Sequence, residues 1–266
     1  MGPLASLVVL IATWNVNSLK VRMPRLEEWL SQTQPDVVCL QETKLADKAF
    51  PALALAGLGY ESIHLGQGQW NGVAICSRVG ISEPLFGFAE GIEPDVDARL
   101  ISAVCGGVRV HSVYVPNGRE VGHEHYYYKL SWLARLRQHL AQTCQPTDDV
   151  VVAGDWNIIP ADIDVWDPSR FVGATHVTPA ERAALAEVKQ WGLVDTFRNR
   201  YGDAPGLFSY YDYTAGHFHK REGMRIDFLL ASSSLAERSV LDVIDRNARK
   251  GTKPSDHAPV MAGYRA

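Results

Sequence analysis

Short apolar runs recur along the chain at Leu7 to Trp14, Asp36 to Leu40, Gly72 to Ser77, Leu100 to Val115, Val150 to Ala153, Ile226 to Ala231 and Ala258 to Ala262. Runs of this kind, bounded by turn formers, predict strands. Within the longest, Gly106-Gly107 lies between Leu100 to Val104 and Arg109 to Val115. Glycine supplies positive φ at little cost, so an antiparallel hairpin is expected there.

Between the strands the apolar spacing changes to that of a helix. Leu26, Trp29 and Leu30 share one face from about Pro24 to Gln32, and Leu130, Leu133, Leu136 and Leu140 do so from Tyr126 to Thr143. Ahead of Ala183 to Trp191, Thr178-Pro179-Ala180-Glu181 forms a capping box with proline in the first helical position. No composition break, Pro/Gly-rich linker or repeat interrupts the series. The pattern predicts one α/β domain spanning 1–266, with sheets packed inside helices.

At 266 residues, 46% of them hydrophobic and 21% charged, the chain can fill a sizeable core and keep a soluble surface. The apolar start from Leu7 to Ala12 is too short to span a bilayer and has no basic residues before it. It reads as a buried strand, not a signal peptide. Cys39, Cys76, Cys105 and Cys144 lie far apart in no metal-type spacing. Reduced core thiols and a cytoplasmic setting follow as expectations. A net charge of −4 argues against a protein that coats nucleic acid by bulk attraction, so any DNA contact must be local. Basic residues cluster at Lys20, Arg22 and Arg25 and again at Lys220, Arg221 and Arg225.

The informative feature is that apolar strands end abruptly in carboxylates or amides: Ile11-Ala-Thr-Trp-Asn15, Val37-Val-Cys-Leu-Gln-Glu42 and Val150-Val-Val-Ala-Gly-Asp155-Trp-Asn157. Sheets of α/β proteins bind ligands at strand ends. Residues two apart in a strand point the same way, so Asn15 with Asn17, and Asp155 with Asn157, can each present two oxygen-bearing groups to one site. Glu42 and Asp155 suit a hard divalent cation, although each alone is equally a strand-end or turn residue. Near the C-terminus Arg225-Ile-Asp227 opens one strand and Ser255-Asp-His-Ala-Pro259 precedes another. A histidine held by a carboxylate is a recurring catalytic device. Asp256 adjoins His257 in sequence and is poorly placed to pair with it, which leaves Asp227 as the expected partner.

These residues resemble a known family. Ala12-Thr-Trp-Asn-Val-Asn17, Leu40-Gln-Glu-Thr-Lys44, Tyr114-Val-Pro-Asn-Gly118, Gly154-Asp-Trp-Asn157, Trp191-Gly-Leu-Val-Asp-Thr-Phe197, Arg225-Ile-Asp227 and Ser255-Asp-His-Ala-Pro259 are similar to exonuclease III-type AP endonucleases, in the family's order. One such string is weak; seven in order across nearly the whole chain are specific. The resemblance implies a four-layered α/β sandwich, with two mixed, mainly antiparallel sheets face to face and helices outside. It implies a DNA-repair hydrolase that cuts 5' to abasic sites, with 3'-to-5' exonuclease and 3'-phosphodiesterase activity, using Mg2+ or Mn2+ and no obligate protein partner.

It also implies roles. Glu42 binds the metal with Asn15 and Asp256, and Asp155 and Asn157 orient or deprotonate the attacking water and are further metal candidates. His257, paired with Asp227, binds the scissile phosphate, with Tyr114 beside it. Asn17, Lys44, Asn117, Phe208, Tyr210, Arg221, Met224 and Arg225 are expected to contact DNA, Phe208, Tyr210 and Met224 as walls of a pocket for the abasic sugar. Asn117 stands where some relatives carry glutamine, and Tyr210 and Thr214 where an enteric member has tryptophan and arginine. Residues 1–6 extend beyond the family's usual start. Two alternatives remain: another metal-dependent phosphoesterase of the same fold, and a catalytically silent DNA-binding relative.

Overall fold

The computed structural model describes residues 8–265. Its strands, in chain order, are β1 (Val8–Asn15), β2 (Val37–Gln41), β3 (Glu61–Leu65), β4 (Val73–Ser77), β5 (Ser82–Phe86), β6 (Leu100–Cys105), β7 (Val108–Tyr114), β8 (Val150–Asp155), β9 (Leu193–Asp195), β10 (Asp227–Ser232), β11 (Ser239–Ile244) and β12 (Val260–Arg265). They form two six-stranded sheets, ordered β11-β12-β1-β2-β4-β3 and β5-β6-β7-β8-β10-β9. Both follow one pattern, a central parallel pair (β1 with β2, β7 with β8) flanked by antiparallel neighbours.

Alternation along the strands builds the layers. Val9 and Ile11 of β1 face the second sheet, in a core shared with Val37, Cys39, Ile101, Val110, Val151 and Leu229. Ala12 and Trp14 point the other way, onto α1 (Leu19–Thr33) and α2 (Ala52–Gly57). The outer face of the second sheet, with Val113, Val150 and Val152, packs against α3 (Glu124–Thr143) and α4 (Pro179–Lys189). Helix, sheet, sheet and helix thus stack as the expected four-layered sandwich. All four cysteines are buried and free. Among the described residues no helix is long and apolar enough to cross a membrane.

The Gly106-Gly107 hairpin joins β6 to β7 with both glycines at positive φ, 56° and 85°. Thr178 caps α4 as expected: Oγ1 accepts from Glu181 N at 3.2 Å, and Glu181 Oε2 accepts from Thr178 N at 3.1 Å. Helix α1 begins earlier than predicted, at Leu19, and carries Pro24 inside it. Proline there removes only the hydrogen bond to the carbonyl of exposed Lys20, a modest loss early in a helix. Leu7, placed at the start of the first predicted strand, and the extension 1–6 lie outside the described residues.

Candidate active site

Parallel β1 and β2 end together, as do parallel β7 and β8, and the sheets face each other, so four strand ends deliver side chains to one edge. A buried polar link supports that edge: Gln41 Nε2 donates across the sheets to Ser112 Oγ at 3.2 Å, and Thr13 Oγ1 donates to Gln41 Oε1 at 3.1 Å. Gly154 is required beside it. A Cβ at that position would lie 1.9 Å from the Val113 carbonyl oxygen, and the missing side chain lets β8 approach β7 just before Asp155.

At the centre, Asn15 Nδ2 donates to both Glu42 Oε1 at 2.8 Å and Asp155 Oδ2 at 2.9 Å. Two carboxylates therefore share one amide in a buried place. Glu42, Asp155 and His257 offer ligand atoms within 4.8 Å of one another. Burial pushes the Asp155 carboxyl up to about 7, aided by the charges of Asp227 and Glu42 and opposed by His257 and Asn15. Burial also works against the charge of Glu42, but Lys44 and Asn15 outweigh it and hold the carboxyl below its ordinary value. Glu42, Lys44, Asn17 and Asn157 all sit at positive φ between 41° and 53°, backbone strain gathered at the turns after the strands.

His257 closes the far side. Its Nδ1 lies 2.8 Å from Asp227 Oδ2 and its Nε2 faces Asp155 Oδ2 at 3.9 Å. Burial alone would pull the imidazole down, but Asp227, Asp155 and Asp256 raise it to about 10. Asp227 is held in turn by Ser209 Oγ, which donates to Oδ2 at 2.7 Å. Ser255 Oγ donates to the Asn15 carbonyl at 2.7 Å and accepts from His257 N at 3.2 Å, tying the histidine turn to β1. The phenol of Tyr114 is pushed well up by burial and by Glu42 and Asp155, so it remains a proton donor, and the Arg99 guanidinium lies 4.7 Å from its ring centre. Ser255 lies within the Ser255-Asp-His-Ala-Pro259 string, but Ser209 and Arg99 carry no signal in the sequence, because a single hydroxyl or arginine leaves no periodic pattern.

The donor set fits a divalent cation. Hard oxygens converge, two carboxylates meet in one enclosed place, and a bound cation would offset the burial and the neighbouring negative charge that raise Asp155. Glu42 and Asp155 would supply carboxylate oxygens, joined by the Asn15 amide, while His257 has its Nδ1 engaged by Asp227. Asp256 stands aside from this group, accepting from Asn17 Nδ2 at 3.1 Å. Asn157 donates to the Val115 carbonyl at 2.9 Å and accepts from Asn117 Nδ2 at 3.1 Å.

The expected DNA contacts divide. Asn117 and Arg221 are exposed, and Tyr210 and Met224 are half-buried. The Tyr210 ring meets His257 edge-on at 4.9 Å between centres, and Tyr210 and Met224 pack against the cluster of Ile159, Val165 and Ile226, as do Trp166 and Phe171 from a segment with no distinctive pattern. Lys44 Nζ is engaged within the site, 2.8 Å from Glu42 Oε2 and 2.5 Å from Asn17 Oδ1. Phe208 is a correction: it is buried with its ring against Tyr211 and forms no pocket wall.

Arg225 is a second correction. Its guanidinium is wholly buried, with Nε 2.6 Å from Asp164 Oδ1 and Nη2 2.8 Å from Asp195 Oδ2, so it braces the fold and does not touch DNA. Arg225→Ala is expected to cost roughly 3–5 kcal/mol of stability, because Asp195 and Asp164 stay buried with less counter-charge. Urea unfolding measures it, and an unchanged midpoint with weakened DNA binding would return Arg225 to the DNA contacts.

Residues 12–257 match the Endonuclease/Exonuclease/phosphatase family. The chain is 35% identical over 264 residues to exodeoxyribonuclease III of Haemophilus influenzae, covering 95% of this chain and 98% of that protein. An AP endonuclease structure from Archaeoglobus fulgidus superposes with a TM-score of 0.93 at 35% identity, covering 97% of this chain and 100% of that one. A 3' phosphatase structure from Neisseria, solved with a product DNA hairpin, gives 0.92 at 34% identity with the same coverage.

Proposed function

The chain belongs to the endonuclease/exonuclease/phosphatase family and is a metal-dependent nuclease of base excision repair, and from that premise we propose that it hydrolyses DNA 5' to abasic sites and at 3' ends. The observation that carries this reading is the juxtaposition of Glu42 and Asp155 on one amide with a charged His257 facing them. Mg2+ or Mn2+ is the proposed ion. Glu42 with Asn15 would hold it, and it would supply positive charge to the scissile phosphate when bound.

The chain's own groups do the rest. His257, kept protonated by Asp227, binds a nonbridging phosphate oxygen and stabilises the charge that grows on it. Asp155, held by Asn15 beside Glu42 and facing His257, takes a proton from the attacking water. Asn157 has committed one amide N–H to the Val115 carbonyl, and its Oδ1 keeps one lone pair with which to orient that water. Tyr114, held protonated, donates toward the phosphate or the departing 3'-oxygen.

For lesion choice, the half-buried patch of Tyr210, Met224, Trp166 and Phe171 beside His257 suits an extruded abasic sugar, whose missing base lowers the cost of unstacking. The test compares initial rates on a duplex with one abasic site, the intact duplex, and a nicked duplex ending in a 3'-phosphate. Faster cleavage of the abasic than of the intact duplex is expected, and Tyr210→Ala should shrink that ratio without weakening metal affinity. Equal rates on abasic and intact strands would remove the abasic part of the proposal. Activity confined to the nicked substrate would leave a 3'-end enzyme.

A further inference from the structure

Behind Asp155 and Asn157, helix α3 buries an ammonium. Lys129 is completely enclosed, on a helix whose other buried residues include Trp132, Leu133 and Leu136. Burial opposes its charge and lowers its pKa. Glu181, equally buried, supplies the compensating charge with Oε1 at 2.5 Å.

Charge neutralisation leaves two of the three ammonium protons to account for. Lys129 Nζ donates to the main-chain oxygen of Asn157 at 2.5 Å and reaches that of Asn117 at 3.4 Å. His176 Nδ1 lies 3.5 Å from the same ammonium and also contacts the Asn157 carbonyl. The turn is packed onto the lysine: a Cβ on Gly118 would come within 3.3 Å of Lys129 Cδ and 2.6 Å of Thr175 Oγ1.

The two carbonyls belong to residues whose side chains meet each other at the active site, Asn117 Nδ2 donating to Asn157 Oδ1. Asn157 sits at φ 50°, a conformation uncommon for residues other than glycine, and its N–H donates to Asp155 Oδ1 at 3.0 Å. Something must hold that strained turn in place, and the ammonium grips its carbonyl from α3. We propose that Lys129 is a positioning residue for phosphodiester hydrolysis. By fixing the Asn117 and Asn157 carbonyls, it sets where Asn157 and Asp155 meet the attacking water.

This inference rests on the nuclease reading above, and stability must be separated from positioning. Replacing a buried ion pair by neutral groups need not destabilise a fold. Glutamine at 181 can still complete the capping box with Thr178. Two variants therefore discriminate. Glu181→Gln keeps the lysine nitrogen, a hydrogen-bond donor in either charge state, on Asn157 and is expected to hold kcat within about twofold of wild type even if its melting temperature falls. Lys129→Met combined with Glu181→Gln removes the grip, and its kcat is expected to fall about tenfold to a hundredfold with KM within about twofold, since small misplacements of reacting groups cost rate more than binding.

Both are measured on the abasic duplex with saturating magnesium, at a temperature where circular dichroism shows each variant folded. A folded double variant with wild-type kcat overturns the proposal. Should that variant not fold, Lys129→Gln, one atom too short to reach both carbonyls, decides the same question: a slowed folded protein supports the positioning role and a wild-type rate overturns it. A wild-type protein that cleaves no DNA would instead sink the nuclease reading.

Discussion

Glu42→Ala and Asp155→Asn are each expected to lower cleavage by about 10³-fold or more while DNA binding survives. Both carboxylates act where charge and proton move in the transition state, and losses of that kind fall on turnover, not on ground-state affinity. Asparagine is isosteric with Asp155 and can neither take a proton nor neutralise a cation. The same substitution is expected to stabilise the metal-free fold. A carboxyl raised to about 7 by burial keeps its proton when folded after the unfolded chain has released it. The wild-type fold therefore loses stability as pH rises from the ordinary carboxylate range through about 7, and the asparagine variant should lose less. Single-turnover rates, fluorescence anisotropy with labelled DNA, and urea unfolding in chelator at acidic and neutral pH measure these effects. Wild-type-like turnover of either variant in saturating magnesium would overturn the assignment.

His257→Ala is expected to reduce turnover by several orders of magnitude, and Asp227→Ala by less in the same direction. In the proposed mechanism the imidazolium meets the phosphate and Asp227 acts through it, by orienting Nδ1 and by keeping the ring charged. Without Asp227 the imidazole should titrate far below about 10, so the Asp227→Ala variant should lose further activity as pH rises through neutrality, where the wild-type histidine stays charged. The pair should also be non-additive, the double variant being little worse than His257→Ala alone. If the two single effects simply multiply, the residues do not act as a unit.

What is legible in the sequence divides along physical lines. Each central strand is buried on both faces and writes a continuous apolar run, so β1, β2, β4, β6, β7, β8, β10 and β12 all follow from the pattern. The four strands that do not, β3, β5, β9 and β11, are the outer strands of the two sheets. β5 is exposed along its whole length and contains Pro84, a pattern no periodicity argument distinguishes from a loop. The same logic applies to the active site. Asn15, Glu42, Asp155 and His257 stand at the ends of legible strands or in a specific motif, and the structure brings them together. Arg225 reads wrongly as a DNA contact because a basic cluster in sequence says nothing about burial, and its partners Asp164 and Asp195 come from distant segments. Lys129 gives no sign of its role because a polar residue on an otherwise apolar helical face reads as solvated until the fold encloses it.

The central claim is that this strand-end site hydrolyses DNA with a bound divalent ion, and one measurement meets it directly. A duplex carrying a single stable abasic analogue is incubated with the wild-type protein in excess chelator and then in added magnesium, and the products are resolved by length and end chemistry. The expected result is no product in chelator and, with magnesium, one cut immediately 5' to the lesion leaving a 3'-hydroxyl. Undiminished cutting in chelator, or an intact duplex at every magnesium concentration, would contradict it.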